Sequence, residues 1–314
     1  MKKILIVGAG GQIGSELVTY LRGLYGNGNV VAADLRQSER LAADGPFEIL
    51  DALDAERYAE LVRKYGIDSI FNLAALLSAK GEANPTLALK INIGALTNSL
   101  EVARQYNCAL FTPSSIGAFG GDFPRDNTPQ DTIMQPNTMY GVCKVTGELL
   151  SNYYHTRFGV DTRSVRFPGI ISNVTLPGGG TTDYAVEIYY AAVKGERFVC
   201  PVSSNVYMDM MYMPDALRAT VELMEADPAK LKHRNSFNIA SMSFTPEIIY
   251  AEIRKRLPEF EMVYDVDPVK EAIAESWPNK LDDTCAREEW GWKPQWDLSS
   301  MTDDMLRAVR AKNL

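Results

Sequence analysis

The chain has 314 residues, long for one domain and short for two independent ones, the size of a nucleotide-binding core with a smaller appended lobe. Its 46% hydrophobic and 23% charged residues are those of a soluble globular protein, and a net charge of −8 disfavours a nucleic acid or an anionic membrane as partner. Four scattered cysteines (Cys108, Cys143, Cys200, Cys285) form no Cys-x-x-Cys pair, and His155 and His233 are the only histidines, so neither a disulfide nor any metal site is expected.

Short apolar runs alternate with longer amphipathic stretches, which predicts an α/β fold: a doubly wound parallel sheet of Rossmann type, helices on both faces. The first predicted strand, 3–7, begins almost at Met1; its apolar run is too short for a signal peptide or a membrane span, and a cytoplasmic protein is expected. Gly8-Ala-Gly-Gly11-Gln-Ile-Gly14 joins this strand to a helix over 12–24. Missing side chains at Gly8, Gly11 and Gly14 permit a tight turn and close approach of a pyrophosphate, aided by the helix dipole. The spacing is Gly-x-x-Gly-x-x-Gly, with Ile13 where the older dinucleotide pattern has its third glycine. A purely structural turn is the alternative.

A strand over 30–33 is followed by Asp34, whose carboxylate can accept both adenosine ribose hydroxyls and would repel a 2′-phosphate. NAD is therefore favoured over NADP, although Arg36 is a nearby cation for that phosphate. Asp51, after a strand over 47–49, is a candidate for the adenine amino group or a solvated turn. A helix over 56–64, a strand over 69–73, a helix over 86–106 and a strand over 109–113 come next. Ligands of open α/β sheets bind beyond the carboxyl ends of the strands, where Ser114 and Ser115 stand; either binds a substrate oxygen or caps the turn.

The next helix, 139–158, opens with Tyr140 and carries Lys144 one turn later, on the same face. A unit positive charge about 4 Å from a phenol, at an effective dielectric of roughly 20, is worth about 4 kcal/mol, enough to make a tyrosine a working base. Tyr190 and Lys194 repeat the spacing, but Tyr189 and Ala191-Ala-Val193 around them indicate ordinary packing. After a strand over 162–166 the rhythm loosens into a glycine loop, 177–180, a helix over 182–194 and short elements interrupted by proline. The expected division is a cofactor domain over 1–170, with a return around 206–240, and a smaller carboxyl-terminal α/β substrate lobe over 171–205 and 241–314.

These residues, together with Asn72-Leu-Ala-Ala75, Arg166-Phe-Pro168-Gly169 and Gly291-Trp-Lys-Pro294, resemble the extended short-chain dehydrogenase/reductases over essentially the whole chain. The resemblance implies that Ser115 polarises a substrate oxygen, Tyr140 is the acid/base, and Lys144 steadies the phenolate and holds the nicotinamide ribose. It implies NAD held by Gly8, Gly11, Gln12, Ile13, Gly14, Asp34, Asp51, Leu73, Ala74, Ala75 and Pro168, with Asn92 supporting Lys144 through water or simply sitting on a wetted helix face. Nucleotide-sugar enzymes of the group usually grip a substrate phosphate with an arginine where this chain has Met208, a neutral thioether. Instead, Leu176-Pro-Gly-Gly-Gly180-Thr-Thr-Asp183 and Pro113-Ser-Ser-Ile-Gly-Ala-Phe-Gly120 resemble the short-chain type of L-threonine 3-dehydrogenase. That subgroup implies L-threonine as substrate, with contacts at Ser78, Ser114, Ser115, Tyr140, Thr182 and Asp183. It further implies a homodimer through the 86–106 and 139–158 helices. The 177–183 segment is a candidate lid, and Thr181-Thr-Asp183 alternatively a helix cap.

Overall fold

The computed structural model describes residues 1–175 and 180–312. Residues 176–179, which include the first three of the candidate lid, therefore lie outside the described residues. In chain order the first half runs β1 (Ile4–Val7), α1 (Gln12–Tyr25), β2 (Val30–Asp34), α2 (Glu39–Ala43), β3 (Phe47–Ile49) and α3 (Ala55–Tyr65). It continues with β4 (Ser69–Asn72), α4 (Ser78–Ala83), α5 (Pro85–Tyr106), β5 (Ala109–Phe111), β6 (Ser114–Ser115), α6 (Met139–Phe158), β7 (Thr162–Arg163) and β8 (Val165–Phe167).

Six strands form a parallel sheet in the order β3-β2-β1-β4-β5-β7. Successive residues of β1 alternate between two cores: Ile4 and Ile6 pack with Leu17, Val18 and Leu21 of α1, whereas Leu5 and Val7 pack with Leu61 of α3 and Leu96 and Leu100 of α5. Burial on both faces is why the strand reads as an unbroken apolar run. The strand order reverses between β1 and β4, the place where such sheets open a crevice at their carboxyl ends.

Local chemistry sets the helix limits. Asp54 caps α3, Asn84 caps α5 ahead of Pro85, and Thr138 caps α6 by accepting the Gly141 N–H at 3.1 Å. Asn107 and Gly159 end α5 and α6 in the left-handed conformation.

The single strand expected over 162–166 is two. Ser164 turns away from the ladder, its N–H donating to Arg234 O at 2.8 Å and its hydroxyl accepting from Ser114 N at 3.0 Å. That break frees β8 to pair with β6 on one side and β12 (Phe237–Asn238) on the other. The short helices α2 and α4 have no sequence-level counterpart, because five or six residues carry too little periodicity to read.

The remaining elements are β9 (Gly169–Ile171), α7 (Tyr184–Lys194), β10 (Phe198–Cys200), β11 (Met208–Tyr212), α8 (Met213–Glu225), then β12 and β13 (Met242–Phe244). They close with α9 (Pro246–Arg254), β14 (Met262–Tyr264), α10 (Pro268–Glu275), α11 (Thr284–Trp290) and α12 (Leu298–Arg310). A small sheet β13-β11-β9 and the pair β10-β14 share a core with α7, α9 and α12. Alternate residues of β11 serve both cores: Met208, Met210 and Tyr212 bury in the lobe and Met211 beneath the large sheet, where Ala286 of α11 and Trp292, from the expected lobe segment, also bury. Asp215, wholly buried at the start of α8, ties the tail back by accepting the N–H groups of Gln295 and Trp296.

Among the described residues no helix is long and apolar enough to cross a membrane.

Candidate functional site

The crevice at the sheet's carboxyl edge is a cleft of about 250 Å³ between the large sheet and the lobe. Gly8, Gly11, Gln12, Ile13, Gly14, Leu73 and Ala75 line one end; Ser78, Ser114, Ser115, Tyr140, Lys144, Pro168, Thr182 and Asp183 line the rest. Thus most sequence-derived candidates converge. Asp34, Asp51, Ala74 and Asn92 do not line the cleft; the Ala74 backbone instead closes on Gly8.

Two glycines of the first loop are dictated by space. Gly8 has φ +82°, and a Cβ there would lie 2.7 Å from Ala74 N, so the ends of β1 and β4 can meet only without a side chain. A Cβ at Gly14 would collide with the Gly8 carbonyl oxygen. Asp34, ending β2, accepts the Gly10 N–H at 2.8 Å, which fixes its carboxylate against the loop. Gln12 Nε2 is buried in the cleft without a protein partner among the described residues. A glycine cradle, a helix amino terminus, an unpaired amide donor and a carboxylate at the end of β2 together fit a dinucleotide. Asp51 stands near Asp34 at the end of β3, exposed, with Oδ1 accepting the Leu53 N–H at 2.9 Å, a turn geometry.

Ser115 and Tyr140 meet around Gly117. A Cβ on Gly117 would sit 3.2 Å from the Tyr140 ring and 3.5 Å from Ser115 Oγ. The Ser115 hydroxyl accepts the Gly117 N–H at 3.1 Å, leaving its proton to donate into the cleft. Gly141 is equally constrained: its Cβ would strike the Gly117 carbonyl and lie 2.5 Å from Pro136 Cβ. The start of α6 can therefore dock on the Ser115 turn only with glycine beside the tyrosine. Lys144 donates to Pro113 O at 2.6 Å, and its Nζ lies 5.3 Å from the Tyr140 ring centroid.

Ser114 is placed differently from Ser115. It is 4% exposed, and its hydroxyl donates to Glu148 Oε1 at 2.5 Å, inside a buried pair in which Arg166 grips both Glu148 oxygens at 2.9 Å. As a donor to substrate it is already spent, because the neighbouring buried carboxylate is the stronger acceptor. Asn92 has a structural task besides the expected one. Its amide oxygen accepts Leu76 N at 2.7 Å and its amide nitrogen donates to Leu76 O at 3.1 Å, clamping the loop after β4. A cavity of about 40 Å³ lies behind Lys144, bounded by Asn72, Asn92, Thr112 and Asn235. Asn72 Oδ1, Thr112 Oγ1 and Asn235 Oδ1 face it without protein partners among the described residues, and its size admits water. Burial pushes the Cys143 thiol up, so it stays protonated beside Lys144.

On the lobe side, Asp183 Oδ2 accepts the Gly180 N–H at 2.6 Å, the capping geometry read as an alternative in the sequence. Gly169 admits Thr182 to the cleft, since a Cβ there would lie 2.7 Å from Thr182 Cγ2. Trp277, missed in the sequence, also lines the cleft; it has no local pattern, and only the packing of the segment after α10 on Ile116 and Phe119 brings it there. Tyr190 accepts from Lys312 Nζ at 2.8 Å outside the cleft, so its match to the tyrosine–lysine spacing is a packing feature. Met208 is wholly buried in the lobe.

The sequence pattern of the NAD dependent epimerase/dehydratase family matches residues 4–240. An uncharacterized epimerase/dehydratase of Staphylococcus aureus strain MRSA252 is 56% identical, over all of this chain and 98% of that protein. The structure of an L-threonine dehydrogenase from Clostridium difficile superposes with TM-score 0.98 at 55% identity, covering 99% of this chain and 98% of that one. A GalE-like L-threonine dehydrogenase from Cupriavidus necator in its holo form gives TM-score 0.96 at 50% identity, covering 98% and 99%.

Proposed function

Since the chain belongs to the NAD dependent epimerase/dehydratase family, we propose that it oxidises the C3 hydroxyl of L-threonine to 2-amino-3-oxobutanoate, as an NAD-dependent dehydrogenase. The observation that carries this reading is the meeting of Ser115 and Tyr140 around Gly117, one helical turn from Lys144, in a cleft shared with the Gly8–Gly14 loop. The likeness over nearly full length to two proteins described as L-threonine dehydrogenases supports the choice of substrate.

NAD, when bound by the Gly8–Gly14 loop, Asp34 and Lys144, supplies the hydride acceptor. Ser115 donates to the substrate hydroxyl oxygen and holds it towards the phenol. Tyr140 takes the hydroxyl proton as C3 becomes a carbonyl, and the Lys144 ammonium stabilises the phenolate. Asn92 acts on Lys144 through water in the cavity they share, while its amide holds the Leu76 loop. Ser78 and Thr182 supply hydroxyl donors for the amino-acid carboxylate, and Trp277 closes the apolar side. Met208 leaves no arginine at the place where sugar-nucleotide enzymes hold a phosphate.

The protein is further read as a homodimer through α5 and α6. Val142, Leu149 and Tyr153 recur at helical spacing along α6 and are 41%, 64% and 55% exposed; Leu87 and Leu89 are exposed at the start of α5.

A panel assay tests the function. With NAD present, L-threonine should give a rise in NADH absorbance much faster than L-serine or D-threonine. Equal rates for all three, or interconversion of a sugar nucleotide without net NADH, would remove threonine as the substrate.

A further inference from the structure

The scarcity and separation of histidine and cysteine argue against a metal in the sequence, yet the fold brings one of each together outside the cleft. His233, Cys285 and Glu289 place an imidazole nitrogen, a thiol sulfur and a carboxylate oxygen all within 4.8 Å of one another. Cys285 and Glu289 are four residues apart on α11 and so share a face. His233 comes from the loop that leads into β12, and its Nδ1 lies 2.5 Å from Glu289 Oε1. The other Glu289 oxygen accepts the backbone N–H groups of Lys232 at 2.5 Å and His233 at 3.1 Å, fixing loop and ring relative to the helix. A second carboxylate, the exposed Asp131, reaches to 3.7 Å from His233 Nε2.

We propose that His233 (through Nδ1), Cys285 and Glu289 form a binding site for a zinc-class divalent cation, with water as the fourth donor. The donor set selects the ion. Thiolate and imidazole suit Zn²⁺ and are poor ligands for Mg²⁺ or Ca²⁺, which prefer all-oxygen shells. Zinc bonds of about 2.0–2.3 Å in a tetrahedron hold their donors roughly 3.3–3.8 Å apart, so the three groups close on an ion by side-chain adjustment. A carboxylate that orients a ligating imidazole through its other nitrogen is a recurring feature of zinc sites, and Asp131 stands on the Nε2 side of His233 for that role. Each of the three residues is half-buried, within reach of solvent yet backed by protein, whereas Cys108, Cys143 and Cys200 are buried. The ion would staple α11 to the loop feeding β12, joining the tail to the core. None of its ligands lines the cleft, so the site is structural and not part of the hydride transfer.

The test uses the full untagged chain, stripped of metal and dialysed against Zn²⁺ or Co²⁺ at micromolar concentration. The expected result is one ion per chain, and for Co²⁺ a thiolate-to-metal charge-transfer band with the visible spectrum of a tetrahedral site. Cys285→Ser should abolish the band and stoichiometric binding while retaining the dehydrogenase turnover of the parent. Asp131→Asn, at an exposed position that leaves folding intact, should weaken binding roughly tenfold or more. Absence of Zn²⁺ binding at these concentrations overturns the proposal. So does binding that survives Cys285→Ser, which places the ion elsewhere.

Discussion

Gly117 and Gly141 bear on the proposed chemistry through the side chains they lack. The two residues let the Ser115 turn and the first turn of α6 approach until serine hydroxyl and tyrosine ring border one small space. Gly141→Ala should therefore displace Tyr140 and lower kcat by about tenfold to a hundredfold, because misplacement by about 1 Å can cost that much. NAD affinity, measured by fluorescence titration, should change little, since the Gly8–Gly14 loop is untouched. Retained kcat in a folded Gly141→Ala protein would show that the close approach is dispensable. A different residue sets a pH dependence. Asp209 is fully buried in the lobe, and burial, with the nearby Asp283 charge, pushes its carboxyl up from 3.8 to about 8 against the opposing Leu281 N–H at 2.8 Å, the Lys280 charge and the Met210 N–H. The fold thus binds a proton that the unfolded chain releases near 3.8, so the contribution to stability is complete below that value and is lost as pH rises to about 8. Asp209→Asn should flatten this slope in urea unfolding followed from pH 5 to pH 9. Parallel profiles for the two proteins would contradict it. At this scale Tyr140, Lys144, Ser115 and the loop glycines were legible in the sequence, because each is defined by local spacing. The commitment of Ser114 to the Glu148–Arg166 pair was not, since it depends on residues far apart in the chain.

The long helices carry both the proposed catalytic pair and the proposed association. Their limits were readable because cap, periodicity and terminating residue agree: the expected 139–158 is the observed α6, with Thr138 and Gly159 at its ends. The small breaks in the sheet were not readable, since Ser164 leaves the ladder only because Arg234 O and Ser114 N lie where they can pair with it. Val142, Leu149 and Tyr153 give α6 an apolar outer face that its partner α5 does not cover. Leu149→Glu would place one charge per chain at the centre of that face. It should convert a dimer to a monomer in light scattering with little change in circular dichroism. A parent protein that is already monomeric at micromolar concentration would dispose of the interface.

For the whole molecule, two cores meet at one cleft: the Rossmann half contributes the Gly8–Gly14 loop and the proposed acid/base Tyr140, and the lobe contributes Thr182 and Trp277. The alternation of strand and helix announces the first core. The second was legible only as a change of rhythm, because its strands are three to five residues long and come from distant segments. Trp277, Ala286 and Trp292 show the same limit, being placed by packing between segments and not by local pattern. The division of labour predicts that removing the proton acceptor stops the reaction without emptying the cofactor site. The direct measurement is NADH formation from L-threonine by Tyr140→Phe, with NAD affinity determined on the same sample. Turnover should fall by about a hundredfold to ten-thousandfold while NAD still binds with the affinity of the parent. Turnover within a few-fold of the parent would mean that another group takes the proton.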